Sequence, residues 1–263
     1  MTMEVTIGFQ TDGNKFDIFN HIITTIGNHS ENWNEEQIGI RLKPDDTVID
    51  EEFRSGTTLL NAHFPDAAFD ITPSDEIYAI FDVKRFTKGL KACKILEDSY
   101  DNIEITFSDQ DIIFLSDTSE QFYIRSNGIA NLEKNKKFDL SVIVENVLID
   151  EFKEALEIAN LVYSKDYFKI DPIKISLIEG GLIMESVLEN RMVEGRKIVH
   201  GTIKQGDKEM THISLEQLNF VNEFVKYKYC ESLTLSYEDE GCLKALMVYP
   251  NNVKVEIINA PRY

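Results

Sequence analysis

A strand that meets a polar residue and then enters a helix occurs twice in this chain, as Ile80-Phe81-Asp82-Val83 and as His212-Ile213-Ser214-Leu215, about 130 residues apart. Asp82 and Ser214 are of the residue types that cap helix N-termini. The flanking patterns repeat as well. Ahead of the first junction, Met3 to Phe9 alternates as a strand, and Asp12 to Asn28 carries Phe16, Phe19, Ile22, Ile23 and Ile26 on one helical face. Short strands follow at Gln37 to Leu42, around Thr57 to Phe64, and at Ile77 to Phe81. After the junction come a helix from Asp82 and a hairpin, in which Ile103 to Phe107 turns through Ser108-Asp109-Gln110-Asp111 into Ile112 to Leu115.

The second half keeps this order. Phe138 to Val144 reads as a strand, and Asp150 to Tyr163 as a helix with Phe152, Leu156, Ala159 and Tyr163 inward. Ile173 to Leu177 and Leu182 to Ser186 form a hairpin across Gly180-Gly181. A helix from Ser214 to Tyr227 precedes a strand at Ser232 to Ser236, an acidic turn Tyr237-Glu238-Asp239-Glu240-Gly241, and two closing strands. Any chain of many short strands gives some matches of this kind, and the halves share few letters. The common order and spacing nevertheless favour an α+β chain built from one unit written twice, with domains at 1–126 and 138–263 joined by a connector at 127–137. The stretch Ser126 to Lys137 is polar and without clear period, as suits a linker.

Composition bounds what such a chain does. Its 263 residues are 43% hydrophobic and 28% charged, enough for a sizeable core in two modest domains. No apolar run approaches the roughly 20 residues of a spanning helix, and the N-terminus has no signal-peptide pattern, so no membrane contact is expected. Three cysteines, Cys93, Cys230 and Cys242, show no paired spacing and read as small core residues in a reducing, intracellular setting. The net charge of −19 repels phosphate over most of the surface. Nucleic acid could be met only through a locally basic patch.

The sequence from Asp82 supplies one. Between Val83 and Leu96 there are five cations, Lys84, Arg85, Lys88, Lys91 and Lys94, and no carboxylate. At 3.6 residues per turn Lys84, Lys88 and Lys91 share a narrow stripe, with Arg85 and Lys94 beside it. Phe86, Leu90 and Cys93 take the opposite face. A solvated helix whose lysines balance neighbouring carboxylates is one explanation. The missing Glu–Lys pairs at i, i+4 favour an external polyanion, met by lysines as point charges without sequence readout.

No catalytic set is present. Walker A, GxSxG and HExxH are missing, and the histidines are scattered. No cofactor or metal is expected: Glu238, Asp239 and Glu240 fit an exposed hairpin turn. Trp33 alone offers no stacking platform for single strands.

Phe81-Asp82-Val83 through Lys88-Gly89-Leu90-Lys91, then Ile103 to Phe107, resembles a strand, basic helix and strand of the proliferating cell nuclear antigen family of sliding clamps. The segment from Ser236 to Tyr263, ending Ile258-Asn259-Ala260-Pro261-Arg262-Tyr263, is similar to that family's close, and Leu218-Asn219-Phe220 to its last helix. The resemblance implies two similar clamp domains per chain, each with two helices packed on antiparallel sheets, closing as a homotrimer into a ring around duplex DNA. It implies a non-enzymatic processivity factor at replicating DNA, in nucleus, nucleoid or viral replication site. Its partners would be DNA polymerase, other proteins bearing a clamp-binding peptide, and a clamp loader. Lys88 and Lys91 fall where the family places DNA-facing lysines; Lys84, Arg85, Lys94, Lys153 and Lys226 complete the expected DNA-binding set. The implied docking pocket includes Val48, Ile129, Ile258, Ala260 and Pro261, although Val48 and Ile258 also read as ordinary buried strand residues. Subunits would join at the edges Gln121 to Arg125, with Phe122 and Ile124, and Lys197 to Ile203, with Ile198 and His200. There are departures: no tyrosine near Ile258, no proline near Cys242, a short polar connector, and Glu157 on a helix expected to face DNA. The alternative is an acidic regulatory protein of the same fold, such as a subunit of a heterotrimeric checkpoint clamp or a monomeric viral processivity factor.

Overall fold

The computed structural model describes residues 4–10, 14–33, 37–43, 46–53, 58–65, 70–72, 77–96, 102–108, 111–116, 121–125, 140–162, 172–187, 194–207 and 209–261. The N-terminal half carries β1 (Glu4–Gln10), α1 (Lys15–Trp33), β2 (Gln37–Lys43), β3 (Asp46–Phe53), β4 (Thr58–Pro65), β5 (Asp70–Thr72), β6 (Ile77–Asp82), α2 (Val83–Leu96), β7 (Asn102–Ser108), β8 (Asp111–Ser116) and β9 (Gln121–Arg125). The C-terminal half carries β10 (Val142–Glu145), α3 (Ile149–Val162), β11 (Ile173–Ile178), β12 (Gly181–Val187), β13 (Glu194–His200), β14 (Thr202–Gln205), β15 (Met210–Ile213), α4 (Leu215–Val225), β16 (Ser232–Tyr237), β17 (Leu243–Val248) and β18 (Lys254–Asn259).

Both halves therefore run strand, helix, five strands, helix, three strands. Their sheets match strand for strand. In the first half the orders are β5-β1-β7-β8-β9 and β4-β3-β2-β6; in the second they are β14-β10-β16-β17-β18 and β13-β12-β11-β15. The described strand pairs are antiparallel in both. The repeat anticipated from the two junctions is a repeat of topology.

Two compact units result; Thr58 and Leu59 group with the second, and Tyr249–Val255 with the first. Rings fill the core of the first. Phe86 of α2 stacks on Phe81 at 4.2 Å between centroids and meets Phe114 at 5.1 Å and Phe107 at 5.9 Å. Phe19 of α1 adds contacts to Phe9 and Phe64. Aromatic pairs at these separations add to the gain from buried area. The core of the second unit is more aliphatic, with Val142, Val144, Leu156, Leu218, Leu233, Leu235 and Met247 all closed to solvent beside Phe152, Phe220 and Phe224. Strands β11 and β17 alternate buried and half-buried residues, the period of a sheet with one covered face.

The helix starts follow the expected chemistry. Asp82 Oδ1 accepts from the Arg85 amide at 2.9 Å, and Ser214 makes a capping box with Gln217. The Gly180-Gly181 hairpin is equally local. Gly180 has φ +85°, and a Cβ on Gly181 would lie 2.3 Å from the Val199 carbonyl oxygen.

Several expected boundaries move. Helix α1 continues to Trp33 instead of ending at Asn28, and β10 is shorter than the strand expected from Phe138 to Val144, of which 138–139 lie outside the described residues. The last helix begins after Ser214, which caps it, and ends at Val225. Strands β3 and β5 have too little alternation to be read from the sequence. The edge expected from Lys197 to Ile203 is two strands: β13 ends at His200, and from Thr202 the chain joins a different sheet as β14. Gly201 permits the change, since a Cβ there would lie 2.7 Å from Val144 Cγ1 and 3.1 Å from the Glu145 carbonyl oxygen.

Candidate nucleic-acid interface

The cation row stands on α2, and the helix is fixed from beneath. Val83, Phe86, Leu90 and Cys93 are buried, while Lys84, Arg85, Lys88, Lys91 and Lys94 are all exposed. Burial pushes the Cys93 thiol up to about 12, so the position is a neutral core group. Helix α1 lies antiparallel to α2. Gly27 approaches Val83 and Thr87 near the start of α2, and Asp17 meets Lys94 near its end.

The five cations differ in how they are held. Arg85 Nε lies 3.8 Å from its own capping residue Asp82, and Lys94 Nζ lies 2.7 Å from Asp17 Oδ1. Among the described residues no carboxylate pairs with Lys88 or Lys91. The centre of the row is thus available to an external anion, and its two ends already touch carboxylates.

The helix face of the second unit is different. Lys153 Nζ lies 3.4 Å from Asp150 on α3, and Lys226 Nζ lies 3.8 Å from Glu223 at the end of α4. Asp150, Glu157, Glu216 and Glu223 are exposed on these helices, while Glu154 turns to Lys197 of β13 at 2.5 Å. Asn160 and Asn219 join α3 to α4 by a reciprocal amide pair, 3.2 Å in each direction. This face is acidic, and its two expected DNA-binding lysines sit beside carboxylates.

The expected subunit edges lie at sheet ends. β9 ends the five-stranded sheet, with Phe122 opposite Phe114 and Ile124 opposite Ile112 on β8; the β9 side chains are outside the described set. β13 ends its sheet with Ile198 at 42% exposure. His200 closes that edge: its amide donates to Glu151 Oε2 at 2.7 Å, its Nδ1 lies 2.9 Å from the same oxygen, and its carbonyl accepts from the Leu148 amide. The backbone amide is the main reason that Glu151 is held below the usual carboxylate range. Lys174, Glu185 and Arg196 form an ion triad across β11, β12 and β13, each directly opposite the next. Like Asp17, Glu151 carries no mark in the linear sequence, because its partner lies 49 residues away.

The expected docking residues are dispersed in character. Ile258 is buried within β18, Ala260 and Pro261 are half-buried, Val48 lies on β3 with its side chain outside the described set, and Ile129 lies outside the described residues. The acidic turn is used internally: Asp239 Oδ1 accepts the Met210 amide, and the Glu240 amide donates to the Met210 carbonyl. Among the described residues no group of three His, Cys, Asp or Glu side chains is placed to hold a metal, and no helix is long and apolar enough to cross a membrane.

Solved structures decide the architecture. A PCNA2–PCNA3 complex from Sulfolobus tokodaii contains a chain 16% identical to this one, with TM-score 0.70 over 100% of this chain and 99% of that one. The chain has the PCNA fold. Proliferating cellular nuclear antigen from Entamoeba histolytica aligns at 10% identity and TM-score 0.72 over the whole of both chains. PCNA from Thermococcus kodakaraensis aligns at 16% identity and TM-score 0.72, over 98% of this chain and all of that one. No family model matches the sequence, and no curated protein does. At these identities the likeness to PCNA is one of fold.

Proposed function

We propose that this chain is a DNA sliding clamp, a non-enzymatic ring that encircles duplex DNA and tethers polymerase and other DNA-processing proteins. The observation that carries this is the exposed α2 row in a body of net charge −19, with Lys88 and Lys91 unpaired among the described residues of a PCNA fold. A ring needs little intrinsic affinity, because topology retains it. Lys88 and Lys91 give weak contact without sequence readout, and the acidic exterior suppresses sticking elsewhere.

In this reading the domains are 1–126 and 138–263 with the connector between them. Copies join by adding β9 of one to β13 of the next ahead of His200, whose own amide and carbonyl are taken by Glu151 and Leu148, and so pair two open sheet edges. Val48, Ile129, Ile258, Ala260 and Pro261 are the residues proposed to serve a partner peptide. Lys84, Arg85, Lys88 and Lys91 meet phosphate, while Lys153 and Lys226 contribute less because Asp150 and Glu223 sit beside them. The acidic α3–α4 face favours one variation, a ring completed by different, more basic subunits. A heteromeric PCNA2–PCNA3 complex is known from Sulfolobus tokodaii.

The test is duplex binding by Lys88→Ala/Lys91→Ala across a salt series. Binding weakens, and the slope of log K against log salt becomes shallower by about 0.9 for each lost phosphate contact. An unchanged slope returns α2 to an ordinary solvated helix.

A further inference from the structure

We propose that Asp17 is the internal counter-anion of the α2 cation row, holding Lys94 where a DNA phosphate would otherwise hold it. This rests on the DNA-facing reading of α2 and adds a residue outside that helix. The Nζ to Oδ1 distance of 2.7 Å is that of a charge-assisted hydrogen bond. Both charges sit where helix dipoles favour them, Asp17 in the first turn of α1 and Lys94 in the last turn of α2. The antiparallel packing of the helices, with Gly27 against Val83 and Thr87, brings those two ends together.

The pair is open to exchange. Lys94 is 45% and Asp17 25% exposed, and an ion pair this accessible contributes little to folding. A phosphate arriving along the row from Lys88 and Lys91 therefore competes with a carboxylate already in place. The consequence is a contact that is one charge weaker than the sequence of α2 implies. That suits a protein that must move along DNA instead of gripping it. The sequence of α2 could not show this, because the competing anion lies 77 residues upstream of Lys94.

The experiment is a double-mutant cycle read by duplex oligonucleotide binding across a salt series. It uses the wild type, Asp17→Asn, Lys94→Ala and the double variant, with Asp17→Ser as a second neutral replacement and thermal unfolding as the check on folding. Asp17→Asn and Asp17→Ser bind DNA several-fold more tightly at low salt, with a slope steeper by up to about 0.9. The gain disappears when Lys94 is alanine. Unchanged affinity in both neutral variants overturns the proposal. So does an equal gain with and without Lys94, since Asp17 would then act only through general charge. If Lys88→Ala/Lys91→Ala binds as the wild type does, the DNA-facing reading of α2 fails, and this proposal with it. If that double variant loses binding while Asp17→Asn changes nothing, only this proposal fails.

Discussion

Gly89, midway along α2, lies against the ring of Phe114 on β8: a Cβ at position 89 would sit 2.3 Å from Phe114 Cζ and 2.4 Å from Cε2. A glycine inside a helix ordinarily costs about 1 kcal/mol relative to alanine. Here the missing methyl lets the helix rest directly on the aromatic core, which sets the height of Lys88 and Lys91 on either side.

Gly89→Ala therefore goes against helix propensity. Overpacking of about 1 to 3 kcal/mol exceeds the propensity gain, and the variant is less stable in urea unfolding. Adding Phe114→Leu restores part of the loss. A Gly89→Ala protein as stable as the wild type would show that the ring yields easily.

Thr58 joins two buried amides within the second unit. Gln217 Nε2 donates to Thr58 Oγ1 at 3.3 Å, Thr58 donates to Asn259 Oδ1 at 3.0 Å, and all three residues are closed to solvent. Thr58→Val keeps the shape and removes both bonds. Leaving buried polar groups unsatisfied costs about 2 to 4 kcal/mol in total, read as a lowered urea midpoint with unchanged slope. A change below about 0.5 kcal/mol would mean that water replaces the hydroxyl.

Local chemistry carried most of what the sequence disclosed. Asp82 and Ser214 announce the helix starts, Gly180-Gly181 the hairpin, and Phe16, Phe19, Ile22, Ile23 and Ile26 the inner face of α1, all of them buried. Strands β3 and β5 were not legible because β3 mixes Asp50, Glu51 and Glu52 with few apolar residues, and β5 spans only Asp70–Thr72. The break of the expected edge at Gly201 depends on a close approach to Val144 that no local pattern records. At the site, the positions of the cations were legible and their partners were not. Asp17, Glu151 and the acidic α3–α4 face act through contacts between distant segments.

The thiols give a direct probe of core placement. Burial pushes Cys93 up to about 12 and Cys230 up to about 11, so neither forms thiolate near neutrality. Because these folded values are raised, the protonated thiols favour the native state below the ordinary thiol range, and that support fades as pH rises through the folded values. At pH 8 a disulfide reagent leaves the buried Cys93 unmodified in the native protein, modifies the half-buried Cys230 more slowly than a free thiol, and modifies both in urea. Native labelling of Cys93 at the rate of a free thiol would contradict its burial.

Glu151 sets the acid behaviour of the β13 edge. Its folded pKa is lowered, first by the His200 amide, so its support is present above the ordinary glutamate value and is lost as pH falls through the lowered one. The protection factor of the His200 amide, its exchange rate by hydrogen–deuterium NMR set against the intrinsic rate at each pH, falls in Glu151→Ala at neutral pH, and in the wild type only on acidification. Equal protection in both proteins at neutral pH would sink this role.

Ring closure is the central claim, and mass in solution tests it most directly. Light scattering at micromolar concentration should give a mass near three times 30.2 kDa, and disruption of the β9 or β13 edge by proline should reduce it to one chain. A wild-type mass of 30.2 kDa across the micromolar range would contradict the homotrimeric clamp.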